Sequence, residues 1–133
     1  MTRQRIPITG ASSGLGAGMA RGFAARGRDL AVCARRIAEL DVDDHEAVPR
    51  VFAALAGELG GLDRVIVNAG IGKGAPLGTG KLWANKATIE TNLVSALVQI
   101  ETALEIFRKQ GTGHLVLISS VLGNKGVVGA KAA

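Results

Sequence analysis

The stretch Thr9-Gly10-Ala11-Ser12-Ser13-Gly14-Leu15-Gly16 constrains the fold more than any other part of the chain. It follows a short apolar run, Arg5 to Ile8, and precedes a helical pattern in which Leu15, Met19 and Phe23 recur every fourth residue. Strand, glycine turn and helix N-terminus thus follow one another directly. The first N–H groups of a helix lack partners within it and sit at the positive end of its dipole, so this junction suits an anion. Each glycine has its own task. Gly10 lets the chain leave the strand tightly, Gly14 lets backbone approach a pyrophosphate, and Gly16 lets the helix pack closely on the sheet. Placement between strand and helix favours this over an ordinary Gly/Ser loop.

The rest of the chain alternates strands and helices, the pattern of an α/β protein with a parallel sheet. The first helix runs from about Gly14 to Arg26 and stops at Gly27, with Arg21 and Arg26 placed late against the dipole. A second strand, Asp29 to Ala34, is continuously apolar from Leu30 to Ala34, the pattern of a strand buried on both faces. Cys33 within it reads as a buried core thiol. Ile37 to Val42 looks like the end of a third strand, yet almost nothing separates it from the second. Parallel neighbours need a crossover of about a dozen residues, so a segment is missing after Arg36.

A second helix begins near Asp43 or Asp44, with Val48, Val51, Phe52, Leu55 and Leu59 as its apolar stripe and Pro49 in its first turn. His45 reads as a solvated first-turn residue. After Gly60-Gly61 comes a strand at Asp63 to Asn68, then a Gly- and Lys-rich segment, Ile71 to Gly80, that reads as a mobile surface loop. The longest helix is expected over Lys86 to Gln110, its stripe formed by Ile89, Leu93, Leu97, Ile100, Leu104 and Phe107. A last strand, His114 to Ile118, ends at Ser119-Ser120, with His114 exposed or capping. Pro7 is the anomaly in the first strand, because it cannot donate a ladder hydrogen bond.

Composition narrows the function classes. A chain of 133 residues, 47% hydrophobic and 20% charged with one Cys, is expected to be a single soluble globular domain without a disulfide framework. The polar Thr2 to Arg5 leads directly into the first strand, so neither a signal peptide nor a membrane span is expected in this segment, and a cytoplasmic location follows. The net charge of +5 points to an anionic partner. Nucleic acid is disfavoured, since the basic residues are scattered and aromatic content is 3% with no Tyr. A phosphate-rich cofactor explains the excess better. No metal site is expected.

With its glycines at Gly10, Gly14 and Gly16 rather than in G-x-G-x-x-G order, the turn resembles that of the short-chain dehydrogenase/reductase family. Asn68-Ala69-Gly70 after a buried strand, Asn92 early in a long helix and Ile118-Ser119-Ser120 at a strand end continue the resemblance in the family's order. It runs over nearly the whole chain but covers only the N-terminal part of the family's domain. It implies a Rossmann-like three-layer α/β sandwich over residues 1–133, with an incomplete, doubly wound parallel sheet ordered 3-2-1-4-5. The ligand edge would be formed by Gly10, Asn68 and Ser120.

The resemblance also assigns roles. Gly10, Ser12, Ser13, Gly14, Leu15 and Gly16 would surround the pyrophosphate, Asp41-Val42 would meet adenine, and Asn68-Ala69-Gly70 would leave room for a flat ring. Arg35-Arg36, at the end of the second strand, would accommodate a 2'-phosphate and select NADP(H) over NAD(H), since no acid stands there. The alternatives are solvated loop arginines for Arg35-Arg36 and an N-cap or loop acid for Asp41. Ser120 would orient the oxygen of a carbonyl or alcohol substrate, with Ser119 as fallback, and Asn92 would organise a water relay. The long helix would pack on a partner subunit as well as on the sheet, giving a homo-oligomer. The family's Tyr and the Lys four residues later are expected just after Ala133, and Tyr is absent from all 133 residues. Lys131 precedes that position and does not replace them. The implied function is an NADP(H)-dependent oxidoreductase, the alternative a non-catalytic dinucleotide-binding fragment or degenerate member.

Overall fold

The computed structural model describes residues 3–33 and 40–120. Arg35 and Arg36 lie outside the described residues, as does the side chain of Cys33. The elements are β1 (Arg5–Thr9), α1 (Gly14–Ala24), β2 (Asp29–Cys33), α2 (Ala47–Leu59), β3 (Arg64–Val67), α3 (Leu82–Ile89), a π-helical turn (Glu90–Val94), α4 (Ser95–Gln110) and β4 (His114–Leu117). The strands form one parallel sheet ordered β2-β1-β3-β4. In the numbering of the sequence analysis this is 2-1-4-5. Of the strand expected over 37–42, residues 37–39 lie outside the described residues, and residues 40–42 are not in a strand. Leu40 and Val42 are buried in the core beside α2 instead, and Asp41 is exposed. A connection this short after β2 cannot carry a parallel crossover.

Alternation along the strands separates two cores. Ile6, Ile8 and Ile66 pack with Met19, Ala20 and Phe23 of α1 on one face. Val65 and Val67 pack with Val48 and Phe52 of α2 and with Ala96, Ala103 and Phe107 of α4 on the other. Helices on both faces make the three layers of a Rossmann-like sandwich.

Pro7 leaves its mark on the ladder. The Arg5 carbonyl accepts from the Asp63 N–H at 3.0 Å, so the odd residues of β1 face β3. Pro7 therefore turns its missing donor toward β3. There the ladder shrinks to the single pair Ile8 with Ile66, whereas toward β2 it runs over all of Arg5–Thr9.

At the amino end of the sheet, Arg5 and Asp63 hold β1 to β3. Arg5 Nε donates to Asp63 Oδ2 at 2.9 Å, Nη2 to Oδ1 at 2.6 Å, and the Arg5 backbone N–H to Oδ2 at 2.8 Å. Hydrogen bonding to Arg5 holds the Asp63 carboxyl below the usual carboxylate range, and the same bond raises the Arg5 guanidinium.

Candidate functional site

The carboxyl ends of β1 and β3 open into a cleft of about 640 Å³. The glycine turn forms one wall. Gly10 has φ +63, and a Cβ there would lie 2.7 Å from Ala69 Cα. A Cβ on Gly16 would collide with the Gly10 carbonyl and come within 2.6 Å of Asn68 Nδ2. Only glycine permits this approach of α1 to the sheet edge. Gly14 also needs its positive φ, +54, but a Cβ there meets nothing within 4 Å, so its requirement is conformational. Ser13 is the N-cap of α1 and spends no side-chain bond on the cap.

Asn68 ties the turn to β3. Its Nδ2 donates to the carbonyls of Thr9 at 3.1 Å and Gly10 at 3.2 Å. In return, the Thr9 hydroxyl oxygen accepts the N–H of Asn68 at 3.0 Å and of Ala69 at 3.2 Å. Thr9 is fully buried, and these bonds use up donors that the diverging strand ends would otherwise leave unpaired.

The opposite wall is built on the π-helical turn. Asn92 lies within it and grips Ile71 by both backbone groups, with Ile71 N–H to Oδ1 at 2.8 Å and Nδ2 to the Ile71 carbonyl at 2.9 Å. Thr91 Oγ1 donates to Asp43 Oδ2 at 2.7 Å and Ser95 Oγ to Asp43 Oδ1 at 2.6 Å. One carboxylate thus pins the loop of residues 41–43 to the turn. His45, expected in solvent, is instead half-buried, with Nε2 3.1 Å from Ser95 Oγ. The trio of Ser95, His45 and Asp43 is no nucleophilic triad. Ser95 is fully buried and its hydroxyl donates at 2.6 Å to the Asp43 carboxylate, which leaves it no path to an incoming substrate. The segment 71–80 is likewise not loose surface along its whole length, because the Ala75 N–H donates to Asn85 Oδ1 at 2.8 Å and both residues are buried.

Of the residues singled out in the sequence, Gly10, Ser12, Ser13, Leu15, Gly16, Asp41, Val42, Asn68, Ala69 and Gly70 line this one cleft. Gly14 and Asn92 do not line it, though both shape residues that do. Ser120 follows β4 on the same sheet edge, is exposed, and does not line the cleft. Leu40, Asp43, Ile71, Lys73, Trp83, Ala87, Glu90 and Thr91 complete the lining. Sequence reasoning missed this side because the expected helix began only near Lys86, short of Trp83, and no local pattern announces the π turn that holds Glu90 and Thr91. Among the described residues no group of His, Cys, Asp or Glu is placed to hold a metal ion, and no helix is long and apolar enough to cross a membrane.

Comparison with known proteins gives a consistent result. The profile described as short chain dehydrogenase matches residues 36–132. An uncharacterised oxidoreductase of Mycobacterium tuberculosis is 69% identical over 154 residues, an alignment that covers 100% of this chain and 61% of the relative. Its 154 positions exceed the 133 residues here, so the relative carries residues without a counterpart in this chain. Among solved structures, levodione reductase superposes with a TM-score of 0.88 at 26% identity, covering 97% of this chain and 58% of that one. The structure of ElxO with NADP bound gives 0.88 at 25% identity, covering 95% and 59%. This chain therefore spans about three-fifths of the length of the proteins it matches. Motif order, sheet topology and profile agree, and the chain belongs to the short-chain dehydrogenase/reductase family.

Proposed function

We propose that this chain is the dinucleotide-binding part of an NADP(H)-dependent oxidoreductase acting on a small carbonyl or alcohol compound. The observation that carries the reading is the close junction of Gly10, Gly16 and Asn68. It brings the first N–H groups of α1 to a cleft whose volume, about 640 Å³, lies in the range of small-molecule sites. A nicotinamide cofactor, when bound, supplies the hydride. The backbone from Ser12 to Gly16 would hold the pyrophosphate, Asp41 would accept from the adenine amine, and Arg35 with Arg36 would meet the 2'-phosphate. Asn92, through Ile71, keeps the 69–71 segment in place, and Ser120 would orient the substrate oxygen.

The outer surface of α3 and α4 supports association. Leu82, Ile89, Leu93 and Leu97 are 49 to 69% exposed, an apolar series that suits a second copy of the chain. A cytoplasmic location belongs to the same reading. The second reading, a dinucleotide-binding module without chemistry, is favoured by the absence of Tyr from the 133 residues.

Cofactor preference is the test. Titrating NADPH and NADH into the chain, then into Arg35→Asp and Arg36→Asp, is expected to show tighter NADPH binding that the substitutions reverse. Equal affinities in the unsubstituted chain would remove the 2'-phosphate role of these arginines.

A further inference from the structure

The loop ahead of α2 carries the carboxylates of Asp41, Asp43 and Asp44, and the structure uses each differently. Asp44 Oδ1 accepts the N–H of Glu46 at 3.2 Å and of Ala47 at 3.0 Å, so that carboxylate is committed to the start of α2. The Asp43 carboxylate accepts from Thr91 Oγ1 at 2.7 Å and from Ser95 Oγ at 2.6 Å. The Asp41 carboxylate has a single bond among the described residues, its Oδ1 accepting the Asp43 N–H at 3.2 Å. Asp41 is exposed and lines the cleft, which leaves its second oxygen to a ligand.

Asp43 is anchored where Asp41 is not. Thr91 lies in the π-helical turn and Ser95 opens α4, and the two residues are 5% and 0% exposed. Hydroxyl-to-carboxylate bonds this short are charge-assisted, and breaking one leaves a buried hydroxyl short of its acceptor. The Asp43 side chain is thus held to the helix, and the N–H that it offers Asp41 is held with it. A carboxylate already restrained at one oxygen loses less freedom when the other oxygen meets a donor. An anionic group is disfavoured as that partner, since Asp43 adds a second negative charge to the same loop. The exocyclic amine of a neutral purine is suited to it.

We infer that Asp43 is a positioning residue for the base of the dinucleotide: the Thr91 and Ser95 hydroxyls hold its carboxylate, and its N–H aims the Asp41 carboxylate at the amine of adenine. The inference rests on the dinucleotide reading proposed above and adds to it a residue that acts through Asp41.

Base preference is the readout, because a residue needed only for folding weakens every dinucleotide alike. NADPH and its hypoxanthine analogue, which carries a carbonyl in place of the adenine amine, are titrated calorimetrically into the chain and into Asp43→Ala, Asp43→Asn and Ser95→Ala. The unsubstituted chain is expected to prefer NADPH by about tenfold, the scale of one hydrogen bond to a charged group. Asp43→Ala should cut that preference to about twofold or less, and Asp43→Asn, which keeps an acceptor for one hydroxyl, should retain an intermediate preference. Ser95 does not line the cleft, so a preference lost in Ser95→Ala is lost through Asp43, and combining it with Asp43→Ala should cause no further loss. Ser95→Ala decides alone if Asp43→Ala fails to fold. An unchanged preference in the substituted chains overturns the positioning role and leaves the dinucleotide reading intact. Equal affinities for the two nucleotides in the unsubstituted chain overturn the Asp41 contact and the positioning role together. Binding of neither nucleotide overturns the dinucleotide reading as well.

Discussion

Thr9 is fully buried at the end of β1, and its hydroxyl oxygen accepts two backbone N–H groups from β3's extension. Thr9→Val keeps the shape and leaves both donors unpaired, so a loss of about 2 to 3 kcal/mol is expected in urea unfolding; a change below about 0.5 kcal/mol would show that water replaces the hydroxyl. At the other end of the sheet, Asp63 is held ionised by Arg5. A carboxyl depressed on folding stabilises the protein above the ordinary carboxylate range, and the contribution fades as pH falls through the depressed value. The raised Arg5 contribution persists across neutral pH and is lost only in strong alkali. Asp63→Asn should therefore flatten the acid limb of a stability profile measured against pH, and an unchanged limb would rule out the pair as its source. The glycines of the turn were legible because a strand-to-helix junction demands them. The partners of Thr9 were not, since its bonds cross 59 and 60 residues of chain and no local pattern encodes them.

The long helix shows where periodicity misleads. Its leucine series predicts a buried stripe, yet Leu93 and Leu97 are 65% and 54% exposed while Ser95 and Gln99 are fully buried. Two physical causes combine. The π turn at Glu90–Val94 rotates the face that follows it, and the Asp43 carboxylate draws Thr91 and Ser95 inward. Helix existence and the C-terminal end were legible, Gly111 closing α4 with φ +75; the start, at Leu82 rather than near Lys86, and the buried face were not. On the proposed association, replacing Leu93 and Leu97 together by Lys should convert an oligomer to a monomer in sedimentation, with unfolding midpoints shifted little because exposed side chains lose few contacts. Oligomers that persist would place the interface elsewhere.

At the scale of the whole molecule, the order of strands, the sheet edge and the family were legible from motif order. The packing of residues 40–42 was not, because Leu40 and Val42 enter the core beside α2 outside any strand, where the sequence points to a strand end. Hydride transfer needs a positioned proton donor, worth about 10²- to 10⁴-fold in rate, and no Tyr is present in the chain. NADPH oxidation by these 133 residues against small carbonyl compounds is therefore expected to stay at background. Turnover that survives Ser120→Ala would mean a different chemistry. The central claim, that the glycine turn and the carboxyl edge of the sheet form a dinucleotide site, is tested most directly by mapping backbone amide shifts of the nitrogen-15-labelled chain during titration with NADPH. The account predicts saturable shifts at Ser12 to Gly16, at Asp41 and at Ala69 to Ile71, absent in Gly16→Val. No shifts at saturating NADPH, or shifts confined to the Arg5 and Asp63 end of the sheet, would contradict it.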